Sequence, residues 1–126
     1  MNHNSLAWVV EDDEAHAKLF SEALTQAGYQ VEVIRDGKAA LARFAHVIPT
    51  VVVLDINLPY IAGTDILRHI RGDRRLSNIR VIIASADERI ASTLHNDADL
   101  VLIKPISYPQ LRDLSQRLRI DGPMGF

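Results

Sequence analysis

Four short apolar runs, each ending on a chemically reactive group, limit what this chain can fold into more than any other feature. Thr50-Val-Val-Val-Leu54 closes on Asp55, Leu6-Ala-Trp-Val-Val10 on Glu11-Asp12-Asp13, Arg80-Val-Ile-Ile-Ala84 on Ser85, and Leu100-Val-Leu-Ile103 on Lys104-Pro105. Unbroken runs rich in β-branched residues suit strands buried on both faces of a parallel sheet. In an open α/β sheet, ligands bind beyond the carboxyl ends of the strands. Acid, acid, hydroxyl and amine at four such ends describe one composite site.

Longer stretches of helical period separate the runs, the pattern of repeated βαβ units. Strands are predicted near 6–10, 31–34, 51–54, 80–84 and 100–103. Glu14–Ala27 reads as a helix with Ala15, Leu19, Phe20, Ala23 and Leu24 on one face and Gly28 at its end. Asp36-Gly37 caps a second, striped by Ala40, Leu41, Phe44 and Ala45 and stopped before Pro49. Gly63–Arg71 is a third, with Ile66, Leu67 and Ile70 inward and Arg68 and Arg71 outward. Glu88–His95 forms a short fourth, and Ser107 caps a fifth carrying Leu111, Leu114 and Leu118. Five such units with right-handed crossovers give a three-layer α/β sandwich, a five-stranded parallel sheet between five helices. Residues 6–119 read as one domain, 1–5 as an N-terminal tail and 120–126 as a frayed end or the start of a linker.

Composition narrows function mainly by exclusion. The 126 residues suffice for one core, not two. A formal charge of −2 offers no basic field to nucleic acid or an anionic membrane. No cysteine is present, which removes disulfides, thiol catalysis and thiolate-bound metals. No apolar run approaches the ~18–20 residues needed to span a bilayer. Met1–Ser5 is polar and does not read as a signal peptide, so a cytoplasmic location is expected. The histidines at 3, 16, 46, 69 and 95 lack ligand spacing and read as surface or helix-end residues. Arg68, Arg71, Arg74 and Arg75 read as a solvated basic face, and arginine's excess over lysine points to no function.

Carboxylates from neighbouring strand ends repel each other unless a hard cation sits among them. Magnesium prefers oxygen ligands and typically takes one or two carboxylates with water and a phosphate oxygen. Asp12 and Asp55 supply the carboxylates, Glu11 assists directly or through water, and the Asn57 backbone carbonyl is a further ligand if the loop curls back. A carboxylate beside a divalent metal and a lysine can attack phosphorus and form an aspartyl phosphate. Such transfer needs positioning and charge neutralisation more than an acid–base pair. Lys104 can pair with phosphoryl oxygens, and Ser85 can donate to another.

Glu11-Asp12, Asp55-x-x-x-Pro59-x-x-x-Gly63, Ser85-Ala86 and Lys104-Pro105, in this order, resemble the receiver domain of bacterial response regulators. The resemblance spans roughly residues 6–119. It implies a flavodoxin-like fold with strand order 2-1-3-4-5. It implies Asp55 as phosphoacceptor, Glu11 and Asp12 as the acidic Mg²⁺ site, Ser85 as switch hydroxyl and Lys104 as phosphoryl-sensing amine. The implied donor is a phosphohistidine on a sensor histidine kinase or a histidine phosphotransfer protein. The implied output is a downstream protein target or effector domain, with a weak homodimer as a further contact, and no turnover of other substrates.

The chain departs from that family at Val101, where an aromatic often stands, at a shortened Ser85–Lys104 interval, and at Asp97-Ala-Asp99 in place of Gly-Ala-Asp. Two rival functions share parts of the pattern. A phosphatase of the haloacid-dehalogenase type would want an aspartate two residues after the nucleophile, where this chain has Asn57. A degenerate receiver, kept only as an interaction module, would not need the full set of site groups. Nucleotide hydrolysis lacks its glycine-rich loops.

Overall fold

The computed structural model describes residues 5–120. The tails expected at 1–5 and 120–126 fall, apart from Ser5 and Ile120, outside those residues, as does His3. Strands β1 (Leu6–Val10), β2 (Gln30–Ile34), β3 (Val51–Asp55), β4 (Arg80–Ser85) and β5 (Leu100–Ile103) form one parallel sheet in the order β2-β1-β3-β4-β5. Helices α1 (Glu14–Gln26), α2 (Gly37–Arg43), α3 (Gly63–Gly72), α4 (Glu88–Ser92) and α5 (Tyr108–Ile120) link and cover the strands. The three-layer sandwich and its strand order stand as read.

Alternation along each strand sorts side chains into two apolar clusters, one per face of the sheet. Chain length alone points to a single core, but a parallel sheet covered by helices on both sides divides one domain's interior. Trp8, Val10, Val52, Leu54, Val81 and Ile83 meet Ala40, Phe44, Ile66, Leu67 and Ile70 of α2 and α3 on one side. Ala7, Val9, Val51, Val53, Ile82 and Ala84 meet Phe20, Ala23, Leu24 and Leu111 of α1 and α5 on the other. Every residue of β3 is buried, as a central strand under two helical layers must be. Each large apolar side chain taken fully out of water contributes roughly 1.5–3 kcal/mol. That burial holds the strand ends still.

Aspartates set several helix starts. Asp13 accepts from His16 N–H at 2.8 Å, Asp36 from Ala39 N–H at 2.7 Å and Asp87 from Arg89 N–H at 2.9 Å. Ser107 accepts from Gln110 N–H at 3.2 Å at the head of α5. Gly28, at φ +103°, follows α1 in the left-handed region that ends many helices.

Several expectations need correction. Ala17, three residues before Phe20, is buried in α1, whereas Ala15 has rotated to the exposed side. Helix α2 ends at Arg43, leaving Phe44 buried as its cap and Ala45 exposed beyond it. Helix α4 stops at Ser92 rather than His95. Arg71 does not point into solvent. Its guanidinium donates to the carbonyls of Asp97 at 2.7 Å and Ile79 at 2.8 Å and pairs with Asp99 at 3.0 Å. Arg75 donates to the Phe44 carbonyl at 2.7 Å. The expected basic face is therefore partly a set of clamps, because guanidinium can satisfy several carbonyls at once.

Asp99 is the hub of that set. It accepts from Val81 N–H at 2.7 Å and pairs with Arg71 and with Arg80 at 3.2 Å, closing the approach to β5. Replacing Asp99 by Ala strands an amide and two guanidinium contacts, so a loss of about 2 kcal/mol is expected. Denaturant unfolding followed by the fully buried Trp8 measures it. A loss below about 0.5 kcal/mol, the range of ordinary surface changes, would show that the hub carries no load.

Candidate functional site

The register of the sheet gathers the reactive groups. Val10 pairs with Leu54, Asp55 with Ala84, and Ser85 with Ile103, so Glu11, Asp55, Ser85 and Lys104 all emerge at the carboxyl edge. Backbone bonds lock those ends together. Glu11 N–H donates to the Ile34 carbonyl at 3.1 Å, Ile56 N–H to Ala84 at 3.1 Å and Lys104 N–H to Ser85 at 2.8 Å. The Lys104–Pro105 bond is cis.

Carboxylate oxygens of Glu11, Asp12 and Asp55 lie within 4.8 Å of one another. Glu11 and Asp55 are buried, whereas Asp12 is exposed at the mouth. Lys104 Nζ stands 3.3 Å from Asp55 Oδ1 and 3.6 Å from Glu11 Oε1. Asn57 N–H donates to Asp55 Oδ1 at 3.1 Å and Asp13 N–H to Glu11 Oε2 at 3.1 Å. The ammonium's distance from Glu11 Oε1 is too long for a hydrogen bond, and this buried oxygen has no hydrogen-bond partner. Burial pushes the Glu11 carboxyl up to about 7, and the Asp55 carboxylate adds to the rise. One ammonium and two amides do not fully offset two buried carboxylates and a third nearby. The donor set, all oxygen and net negative, fits a hard divalent cation such as magnesium.

Ser85 is fully buried and its hydroxyl is engaged within its own loop. It donates to the Asp87 carbonyl at 3.2 Å and accepts from Asp87 N–H at 3.0 Å. Gly63 closes the loop that follows Asp55, because a Cβ there would overlap the Asp55 carbonyl oxygen. Its N–H donates to the Ile56 carbonyl at 3.0 Å. The glycine eight residues after the acid is thus explained by close packing of α3 on the end of β3.

Set beside known proteins, this architecture has many counterparts. The family model for the response regulator receiver domain matches residues 7–116. The chain belongs to the response regulator receiver domain family. Members of that family are typically signalling modules rather than enzymes with an external substrate. The receiver is 31% identical over 122 residues to the probable methanogenesis regulatory protein FilR2 of Methanothrix harundinacea, covering 88% of this chain and 79% of the relative. It is 33% identical over 110 residues to the polar-differentiation response regulator DivK of Brucella ovis, covering 81% and 85%. The BeF3-activated DrrB receiver domain, from the DrrB regulator of Thermotoga maritima, superposes with a TM-score of 0.81 at 27% identity, covering 94% of this chain and 99% of that one. Among the described residues no helix is long and apolar enough to cross a membrane.

Sequence reasoning missed two residues of the receiver's site. Asp87 both holds Ser85 and caps α4, a role signalled only by its place before Glu88. Arg35 reaches from the end of β2 to donate to the Asp12 carbonyl at 3.0 Å and steadies the acidic loop. Nothing local in the sequence announces that contact.

The buried charge makes the receiver's stability depend on pH. The folded Glu11 carboxyl holds its proton more tightly than an ordinary carboxyl with a value of 4.5, so its contribution to stability falls as pH rises from about 4.5 to about 7. At pH 8 without metal, Glu11→Gln is expected to raise stability by about 1 kcal/mol or more. Thermal melts with chelator and with magnesium test this. Wild type should gain stability from magnesium, Glu11→Gln and Asp12→Ala should gain much less, and undiminished magnesium affinity in Asp12→Ala would contradict the assignment.

Proposed function

We propose that this receiver accepts a phosphoryl group on Asp55 from a phosphohistidine of a sensor histidine kinase or histidine phosphotransfer protein, and signals by altered protein contacts. One observation carries this reading: the Asp55 carboxylate is buried at the end of β3 with the Lys104 ammonium 3.3 Å away, between two further acids. Residues 6–119 form the functional unit, acting in the cytoplasm.

The roles follow from charge and position. An Asp55 carboxylate oxygen attacks phosphorus, the phosphorus–nitrogen bond of the donor breaks, and the donor imidazole leaves and takes up a proton. Lys104 stays beside the acceptor and neutralises charge on the transferred oxygens. Asn57 N–H already holds Oδ1, which orients the carboxylate. Glu11, Asp12, Asp55 and the Asn57 carbonyl would hold Mg²⁺, which supplies further charge neutralisation when bound. A phosphatase of the dehalogenase type has no second aspartate to act as general acid, since Asn57 occupies that place.

Incubation with acetyl phosphate and magnesium should add one phosphoryl group, seen by intact mass and removed by hydroxylamine. Asp55→Asn should abolish the labelling. Equal labelling of Asp55→Asn would overturn the proposal, and steady turnover of a generic phosphate ester would favour the enzyme reading.

Phosphorylation shifts a two-state equilibrium only through contacts that differ between the states. Ser85 places a hydroxyl at the same sheet edge, and each bond it gives up belongs to Asp87, the cap of α4. Val101 packs against the α2–α3 side of the sheet as a β-branched side chain with no ring to swing. The response is therefore expected at residues 85–90 and the start of α4, with output to a protein target or a weak homodimer on the α4–β5–α5 face. Amide chemical shifts on adding beryllofluoride map it. Largest changes at residues 29–46 would refute this route while leaving the phosphorylation chemistry intact.

A further inference from the structure

Tyr60 belongs to neither apolar cluster and to none of the acidic groups at the sheet edge. The residue is 99% exposed, so the fold gains nothing from burying its ring. Its backbone nonetheless sits at φ +70°, a region that suits glycine or asparagine and is an outlier for a bulky residue. Ile61 N–H donates to the Pro59 carbonyl at 2.7 Å, so Tyr60 is the centre of a γ-turn with positive φ, a rare and strained form. A strained position occupied by a residue with no internal contacts points to a role in contact with another molecule.

The loop fixes where that role is exercised. Gly63 N–H bonds the Ile56 carbonyl, and Gly63 packs against the Asp55 carbonyl, so the base of the loop is anchored on the acceptor's own backbone. Tyr60 is the tip of that closed loop. Beside it lies a cleft of about 430 Å³ lined by Pro59, Ile61, Asp36 and the exposed Lys38. The Asp55 side chain is only 4% exposed. A protein that delivers a phosphoryl group to it must cover the surrounding rim, and a protruding aromatic there meets the donor first. Tyrosine is suited to that use, with a large apolar face, a polar tip and few torsions to freeze.

Resting on the reading of Asp55 as phosphoacceptor, we propose that Tyr60 is a docking anchor for the phosphohistidine-bearing domain. An apolar side chain of that domain enters the cleft beside Pro59 and Ile61. Small-molecule donors do not use the anchor, because it touches neither Asp55 nor its charge partners.

Three proteins test this: wild type, Tyr60→Phe and Tyr60→Asn. Asparagine accepts positive φ, so its melting temperature should match wild type or exceed it by about 2–4 °C. Acetyl phosphate should label all three at the same rate, and failure in wild type would remove the underlying reading rather than the anchor. Each sensor-kinase transmitter domain of the source genome, autophosphorylated with ATP, then serves as protein donor. For any transmitter that labels wild type fastest, Tyr60→Asn should cut the second-order transfer rate at least tenfold, as expected for an interface anchor, and Tyr60→Phe about twofold or less. Wild-type transfer to Tyr60→Asn, no transfer to wild type from any transmitter, or an equal loss with acetyl phosphate would each overturn the proposal. Unchanged transfer with a shift in the self-association of Tyr60→Asn would assign the cleft to a second copy of the chain instead.

Discussion

Glu11 and Asp55 follow or end adjacent strands whose register pairs Val10 with Leu54, so the sheet itself forces two carboxylates side by side below the surface. Two buried like charges are unfavourable, and neither can move away without breaking strand pairing. The surrounding groups read as a response to that constraint. Lys104 reaches in from β5, and the amides of Asp13 and Asn57 each donate to one carboxylate. The compensation stops short of completion, with Glu11 Oε1 left without a hydrogen bond. A fold selected for stability alone would not keep such an oxygen. A site built to take in a divalent cation gains from it, because the cation's arrival relieves negative charge already present.

Such a site can persist only on a frame that does not relax around it. Its acids and amine sit at strand ends or within two residues beyond, in a sheet covered on both faces. Much of the remaining rigidity comes from arginine. Arg35, Arg71, Arg75 and Arg119 donate to backbone carbonyls of Asp12, Asp97, Ile79, Phe44 and Ala27, joining segments distant in sequence. Lysine's single ammonium carries no planar fork with which to do the same. The excess of arginine over lysine, silent as composition, thus has a structural meaning.

What could be read from the sequence divides along a physical line. Strand positions, sheet type and the gathering of Glu11, Asp12, Asp55, Ser85 and Lys104 were legible because each follows from alternation, run length and strand-end chemistry. Strand order came only with the family resemblance. Small residues give helical period little to weigh, which hides the outward turn of Ala15, and apolar pattern does not show where packing ends, so α4 is shorter than its pattern. Arg71 departs from its helical pattern for a different reason. A helical wheel separates apolar from charged faces, but it cannot tell a solvated guanidinium from one folded back onto carbonyls of a later loop. The same limit hid Arg35, Asp87 and Tyr60, whose parts depend on the path of loops.

The shortness of α4 bears on how a change at Asp55 would travel. Five residues cannot sustain a helix by internal bonding, since nucleation costs more than so few bonds return. Its order depends on the Asp87 cap and on burial of Ala91, with Leu94 just beyond its end. Asp87 is also the partner of Ser85, so one residue joins the hydroxyl at the site to the start of the least self-sufficient helix. On the proposed chemistry, a hydroxyl drawn toward Asp55 subtracts bonds from a segment that has few to lose. Val101 offers no second route, because a β-branched side chain already packed against its layer has little freedom to exchange. A long α4 and a mobile ring would distribute the response over the whole face. Here the proposed chemistry would concentrate it in the loop between Ser85 and Glu88.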